Sequence, residues 1–203
     1  VYDKNPLVFK ESTKHKLSNL VRVAGLQIMG NDPHIDIDEP VFANKFGAFL
    51  PDFWEKTVDV ELKYIDEEQP KYHSWFGLVT LSNLPELRTR MRVDQLDQLQ
   101  RDLVTTFNPS QYGYNGILGF HSDYIYSVFI QNKNPGALEK WIASLQERFS
   151  NSFELNNGMH IETGITIGSV KLERGMKESY QVLSKAKSAL SEAMKSGQNT
   201  ISS

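Results

Sequence analysis

The sequence predicts helices packed on a sheet, of the α/β or α+β class, preceded by a helical extension. Three observations carry this. Strand-like apolar runs and helix-like repeats alternate from Trp75 onward. Before them lie two stretches of helical spacing. Hydrophobic content is 39%, aromatic 11% and charged 23%, the balance of a globular chain rather than a disordered or fibrous one. At 203 residues the chain can bury one core plus a helical appendage, which places a linker or signalling helix in residues 1–33 and a single domain in 34–203.

In order, Leu17, Leu20, Val21, Val23, Ala24, Ile28 and Met29 recur at helical spacing and stop at Gly30-Asn31-Asp32-Pro33. Packing on its own domain and connection to an upstream sensor fit this helix equally. Next, Ile35-Asp36-Ile37-Asp38-Glu39 beside His34 alternates apolar and acidic residues; the alternation sends the carboxylates to one face, which suits solvent or helix capping better than a metal site. Phe42, Phe46, Phe49, Leu50, Phe53 and Trp54 give an aromatic face to a helix from Pro40 to about Glu61, which Pro51 must bend or divide. Glu67 to Lys71 reads as a polar loop. The pattern then runs strand Trp75 to Leu81, helix Val93 to Phe107, hairpin Tyr114 to Ile130, helix Pro135 to Phe149, strand Met159 to Leu172 and helix Met176 to Lys195.

The formal charge of -3, with both signs interspersed, disfavours nucleic acid or an acidic membrane as a partner. Absence of cysteine rules out disulfides and thiolate metal sites and suits a reducing cytoplasm. No run approaches the roughly 18 apolar residues of a membrane span. A place within a longer, membrane-anchored protein, with spans or further domains outside this sequence, remains compatible with these features.

Four stretches in order resemble the GGDEF family, whose active members join two GTP molecules into cyclic di-GMP. Phe76 to Leu84 is similar to the family's apolar strand ending in Asp-x-Asp-x-Phe. His121-Ser122-Asp123-Tyr124-Ile125 stands where the family has Gly-Gly-Asp-Glu-Phe, Gly164 to Gly168 resembles its Thr-x-Ser-Ile-Gly strand, and Ala186 to Asn199 resembles Ala-Asp-x-Ala-Leu-Tyr-x-Ala-Lys-x-x-Gly-x-Asn. A weaker likeness begins at Phe42-Ala43-Asn44-Lys45, similar to Leu-x-Asn-Arg. The resemblance implies an α+β fold with a central, mostly antiparallel sheet flanked by helices, as in nucleotide cyclases.

It also implies that the cyclase chemistry has been lost. Joining two triphosphates needs Mg2+ held by carboxylates. Thr80 replaces the metal-binding Asp, Ser82 the next acid, and Tyr124 the acid of the signature. His121 and Ser122 put side chains where two glycines let backbone approach the nucleotide. Asp123 reads as a turn-capping residue, and His121 as a surface or packing histidine rather than a general base. Met194 and Gln198 take the places of phosphate-binding Lys and a basic residue, while Lys187 and Lys195 lie on other helical faces as solvated charges. Arg88 stands at the position of the Asn that reads guanine, and Asp97 at the matching acid. The inhibitory Arg-x-x-Asp becomes Tyr112 and Asn115, which removes the planar fork that pairs with phosphate or guanine.

The expectation is therefore a degenerate, noncatalytic regulatory domain with no catalytic residue, metal or cofactor. Asp97 and Tyr112 are the candidates for a residual nucleotide contact. Partners would be an adjacent domain, such as EAL, or a regulatory protein, with a homodimer left open. The His-Ser-Asp-Tyr turn is similar to CsrD-type GGDEF/EAL regulators, which promote decay of regulatory RNAs. The alternatives are a LapD-type scaffold, a GTP or cyclic di-GMP receptor, and a weak cyclase.

Overall fold

The longest strand, β1 (His73–Leu81), is buried along almost its whole length, so both its faces must be covered. In this computed structural model, which describes residues 42–67, 71–196 and 201–202, β1 is the centre of a five-stranded sheet. It pairs antiparallel with β3 (Ile125–Asn132) on one edge and with β6 (Ile165–Lys171) on the other. Outside β3 lies β2 (Asn115–Ser122), again antiparallel, and outside β6 the short β7 (Ile201–Ser202) runs parallel, giving the order β2-β3-β1-β6-β7. A two-stranded ribbon, β4 (Phe153–Glu154) with β5 (His160–Ile161), stands apart.

Alternation along β1 sends Trp75, Val79 and Leu81 to one face. There they join Leu99, Leu103 and Phe107 of α3 (Val93–Phe107) and Leu138, Trp141, Ile142 and Leu145 of α4 (Ala137–Arg148). Phe76 and Leu78 point the other way; Phe76 lies 5.2 Å, ring to ring, from Trp54 of α1 (Pro51–Glu67). α5 (Ser179–Ser196) covers β6 and β1 on that face beside α1. A buried polar tie reinforces it: Glu61 of α1 accepts from Ser74 Oγ at 2.7 Å and from Gln131 Nε2 at 3.0 Å. The expected α+β architecture, a mostly antiparallel sheet flanked by helices, is what forms.

Four local expectations need correction. Within the described part of the helix expected from Pro40, residues 42–50 form a turn, because Asn44 Oδ1 accepts the Phe46 and Ala48 amides at 3.0 and 3.1 Å and Gly47 adopts φ 91°. Phe49 then bridges to the β2 edge, so these aromatics pack as a strap instead of a helical stripe. Pro51 begins α1 rather than bending it, since proline lacks only an N–H that the first turn leaves unpaired. The helix runs through Glu61 and takes in Glu67, the first residue of the expected loop.

The expected strand Met159 to Leu172 is interrupted. Asn83 Nδ2 donates to the Glu162 carbonyl at 2.9 Å and Asn83 Oδ1 accepts from Thr163 Oγ1 at 2.5 Å, which draws residues 162–164 out of line between β5 and β6. A short helix with proline in its first turn, α2 (Leu84–Arg90), had no expectation attached to it. The helix expected over residues 10–29, the linker assigned to residues 1–33 and the acidic stretch 35–39 lie outside the described residues. The described residues belong to one compact unit, Phe42–Ser203.

α5 approaches β6 closely at Gly168, where an added Cβ would lie 2.5 Å from Leu190 Cα and 2.6 Å from the Ala186 carbonyl oxygen. Both obstacles are backbone, so neither can swing aside. Gly168→Ala is expected to cost about 3 kcal/mol or more, at the upper end for overpacking, read as a lower urea midpoint at unchanged slope. A loss below about 1 kcal/mol would show that α5 is free to lift from the sheet.

Candidate functional site

The hairpin β2–β3 turns at Asp123-Tyr124, with a register shift between Phe120 and Ser122 that tightens the end of β2. Tyr124 adopts φ 61°, left-handed backbone that costs a bulky residue about 1–2 kcal/mol. Its ring is 5% exposed and belongs to the main core. Burial of a large side chain contributes about 2–3 kcal/mol, enough to offset the strain. Burial raises the pKa of the Tyr124 phenol, with Gln100 of α3 and Arg88 opposing. At the position of the family's metal-binding acid, Thr80 is 1% exposed and its Oγ1 donates to the Tyr124 carbonyl at 2.9 Å. The two positions that the resemblance assigns to carboxylates thus meet as a hydroxyl and a backbone oxygen.

The remaining signature residues are placed by β2, β3 and α1. Trp54 Nε1 donates to the Phe120 carbonyl at 3.1 Å, and the Trp54 ring meets His121 edge-on at 6.4 Å. His121 is half-buried, and its pKa is lowered first by that burial and then by Lys187. Ser122 and Ile125 are partly covered. Asp123 departs from expectation: its side chain is 74% exposed and faces Arg88 at 3.8 Å instead of capping the turn. An ion pair so open contributes little.

Arg88 projects from α2 across this turn, its guanidinium 5.7 Å from the Tyr124 ring centroid and within ion-pair range of Asp123. Asp97 on α3 is likewise engaged, because Lys45 Nζ lies 3.2 and 3.3 Å from its two oxygens. The strap at 42–50 makes this possible: Phe49 N donates to Leu118 O at 3.0 Å and Phe120 N to Phe49 O at 2.7 Å, which fixes Lys45 over α3. Sequence reasoning placed Lys45, Arg88 and Asp97 at family positions but missed that they pair with one another or with the turn. Opposite charge alone was the available signal, and it does not choose partners across 52 residues.

Elsewhere the structure separates candidates. Ser82 Oγ lies 3.0 Å from Thr166 Oγ1, tying β1 to β6. Tyr112 ends a 3-10 turn, Pro109–Tyr112; it is half-buried, and burial raises its pKa with Arg148 opposing. Asn115 is exposed and donates to Gln131 Oε1 at 3.2 Å, a cross-strand tie. Met194 is 50% exposed, Lys195 and Lys187 are exposed, and Gln198 lies outside the described residues. Among the described residues no three His, Asp or Glu side chains gather where they could hold a metal ion. A void of about 10 Å³ under Trp141 and a groove of about 440 Å³ along Arg148, Ser152 and Asn156 border neither Thr80 nor the 121–125 turn. Among the described residues no helix is long and apolar enough to cross a membrane.

No family model and no curated protein sequence matches this chain. Solved structures do. The GGDEF domain of FimX from Pseudomonas aeruginosa superposes with a TM-score of 0.66 at 17% identity, over 78% of this chain and 97% of that one. The GGDEF domain of DgcB from Caulobacter crescentus, solved with c-di-GMP, gives 0.70 at 8% identity over 84% and 97%. The diguanylate cyclase SiaD from Pseudomonas aeruginosa, solved with its activator SiaC, gives 0.63 at 12% over 93% and 72%. Identities this low speak for architecture alone, and together with the strand order and the hairpin at 121–125 they establish that this chain has the fold of a GGDEF domain.

Proposed function

We propose that this chain is a noncatalytic GGDEF-fold module that relays a signal or binds a protein within a larger bacterial signalling protein. The observation that carries the reading is the bond from Thr80 Oγ1 to the Tyr124 carbonyl, 2.9 Å long and buried. A neutral hydroxyl buried against a backbone oxygen carries none of the negative charge with which a carboxylate holds a hard dication, and among the described residues no group of three His, Asp or Glu side chains is placed to supply it. Arg88 and Lys45 add to this by occupying the turn and Asp97 from within the chain.

A protein partner is in keeping with the SiaD neighbour, which is described in complex with an activator protein. The narrower form of the reading is a CsrD-type regulator joined to an EAL domain, in the cytoplasmic part of a membrane-anchored protein. It rests on the His121-Ser122-Asp123-Tyr124 turn. A second reading, a receptor for GTP or cyclic di-GMP, is favoured by Asp97, which retains an acid at a guanine-reading position and is 35% exposed.

Incubation with GTP and Mg2+ or Mn2+ is expected to yield no cyclic di-GMP, and steady turnover would overturn the noncatalytic reading. Titration calorimetry with GTP or cyclic di-GMP separates the two forms. A relay module gives no heat of binding, whereas micromolar affinity abolished by Asp97→Ala or Tyr112→Ala would favour the receptor.

His121 gives a pH signature. Because its folded pKa lies below the ordinary 6.5, the unfolded chain binds more protons between the folded value and 6.5. Stability is therefore expected to rise with pH through that window and to fall as acid protonates the half-buried ring. The imidazole titration followed by NMR should have its midpoint below 6.5, and His121→Gln should remove this part of the pH dependence. A midpoint at or above 6.5 would mean that the ring is solvated rather than packed on Trp54.

A further inference from the structure

Helix α1 presents Glu55, Asp59 and Asp66 along the side that also buries Val58, Leu62 and Ile65. Steps of four and seven residues keep the three acids on one stripe. Asp59 Oδ1 accepts the amide of Ser179, the first residue of α5, at 2.6 Å. Asp66 Oδ1 accepts the Gly175 amide at 3.0 Å, its other oxygen meets Lys177 Nζ, and its carbonyl accepts from Arg174 at 2.9 Å. The first amides of a helix have no partner within it, and a carboxylate beside them also meets the positive end of the helix dipole. The start of α5 is thus capped by a different helix.

From that anchored end α5 passes over Gly168, against which the backbone at Ala186 and Leu190 is pressed. Lys187, which follows Ala186, acts electrostatically to lower the pKa of both His121 and Glu55. At its other end α1 holds the hairpin directly, through Trp54 Nε1 on the Phe120 carbonyl and the Trp54 ring against His121. One helix therefore grips the hairpin with its first turn and the root of α5 with its second half, from Asp59 to Asp66.

We propose that α1 is a shared strut, in which Asp59 and Asp66 couple the N-terminal end of α5 to the hairpin turn at 121–124, so that a displacement of α1 moves both. This names the element that would carry the relay and rests on that reading only for its use. The coupling itself is independent of whether the domain turns over GTP, so the two can fail separately.

Hydrogen exchange on the full 203-residue chain tests it. In Asp59→Ala/Asp66→Ala the amides of residues 175–182 are expected to exchange about fivefold faster or more, the scale of a lost helix cap. The amides of 119–124 should accelerate with them, while those of β1 and β6 stay protected. Acceleration confined to 175–182, or none, would overturn the proposal. Should the double variant fail to fold, Asp66→Ala alone serves, with the same two outcomes. Asp59→Asn retains an acceptor oxygen and is expected to keep the hairpin near its original rate; loosening equal to that of Asp59→Ala would also overturn the strut.

Discussion

The described residues are arranged around the burial of β1 on both faces and its antiparallel pairing on both edges. A strand in that position has no polar backbone left to offer and no face that tolerates water, so two helical layers are obligatory. Trp75, Val79 and Leu81 recruit α3 and α4 on one side, and Phe76 and Leu78 recruit α1 and α5 on the other. The same strand ends at the hairpin turn. Thr80, one residue from its end, reaches Tyr124 across the pairing with β3. The central strand of the core and the floor of the candidate site are one element.

Physical chemistry at the turn favours closure through apolar and neutral contacts. The ion pairs there are exposed and individually weak: Arg88 with Asp123 spans 3.8 Å and Lys45 with Asp97 3.2 Å, both in reach of water. The stronger terms are the buried Tyr124 ring and the Thr80 hydrogen bond, which together hold a backbone conformation that tyrosine otherwise avoids. A core ring and a buried hydroxyl close the turn from below, and the Arg88 guanidinium stands 5.7 Å from the Tyr124 ring centroid.

The structural neighbours share the architecture at identities of 8% to 17%. Such divergence is tolerated because the fold needs apolar residues of about the right size at alternating positions, not particular ones. Ligand chemistry is less forgiving. A metal needs oxygens at fixed distances, and a guanine needs a matched donor and acceptor.

The sequence by itself determined the kinds of element and much of their extent, because burial of one face imprints a period of two or 3.6 on the residues. Helix α3 runs from Val93 to Phe107 as its periodicity requires. The residue types at Thr80, His121, Ser122 and Tyr124 are equally readable without coordinates. Tertiary structure decided what those residues do. The aromatics at 42–50 satisfy a helical pattern as well as a strap, and only Asn44 and the β2 edge choose the strap. Lys45 with Asp97 and Thr80 with Tyr124 are brought together from 52 and 44 residues apart. Local periodicity says which face of an element is buried. It carries no information about which distant side chain will stand opposite, because that is set by sheet order, register and the course of the loops.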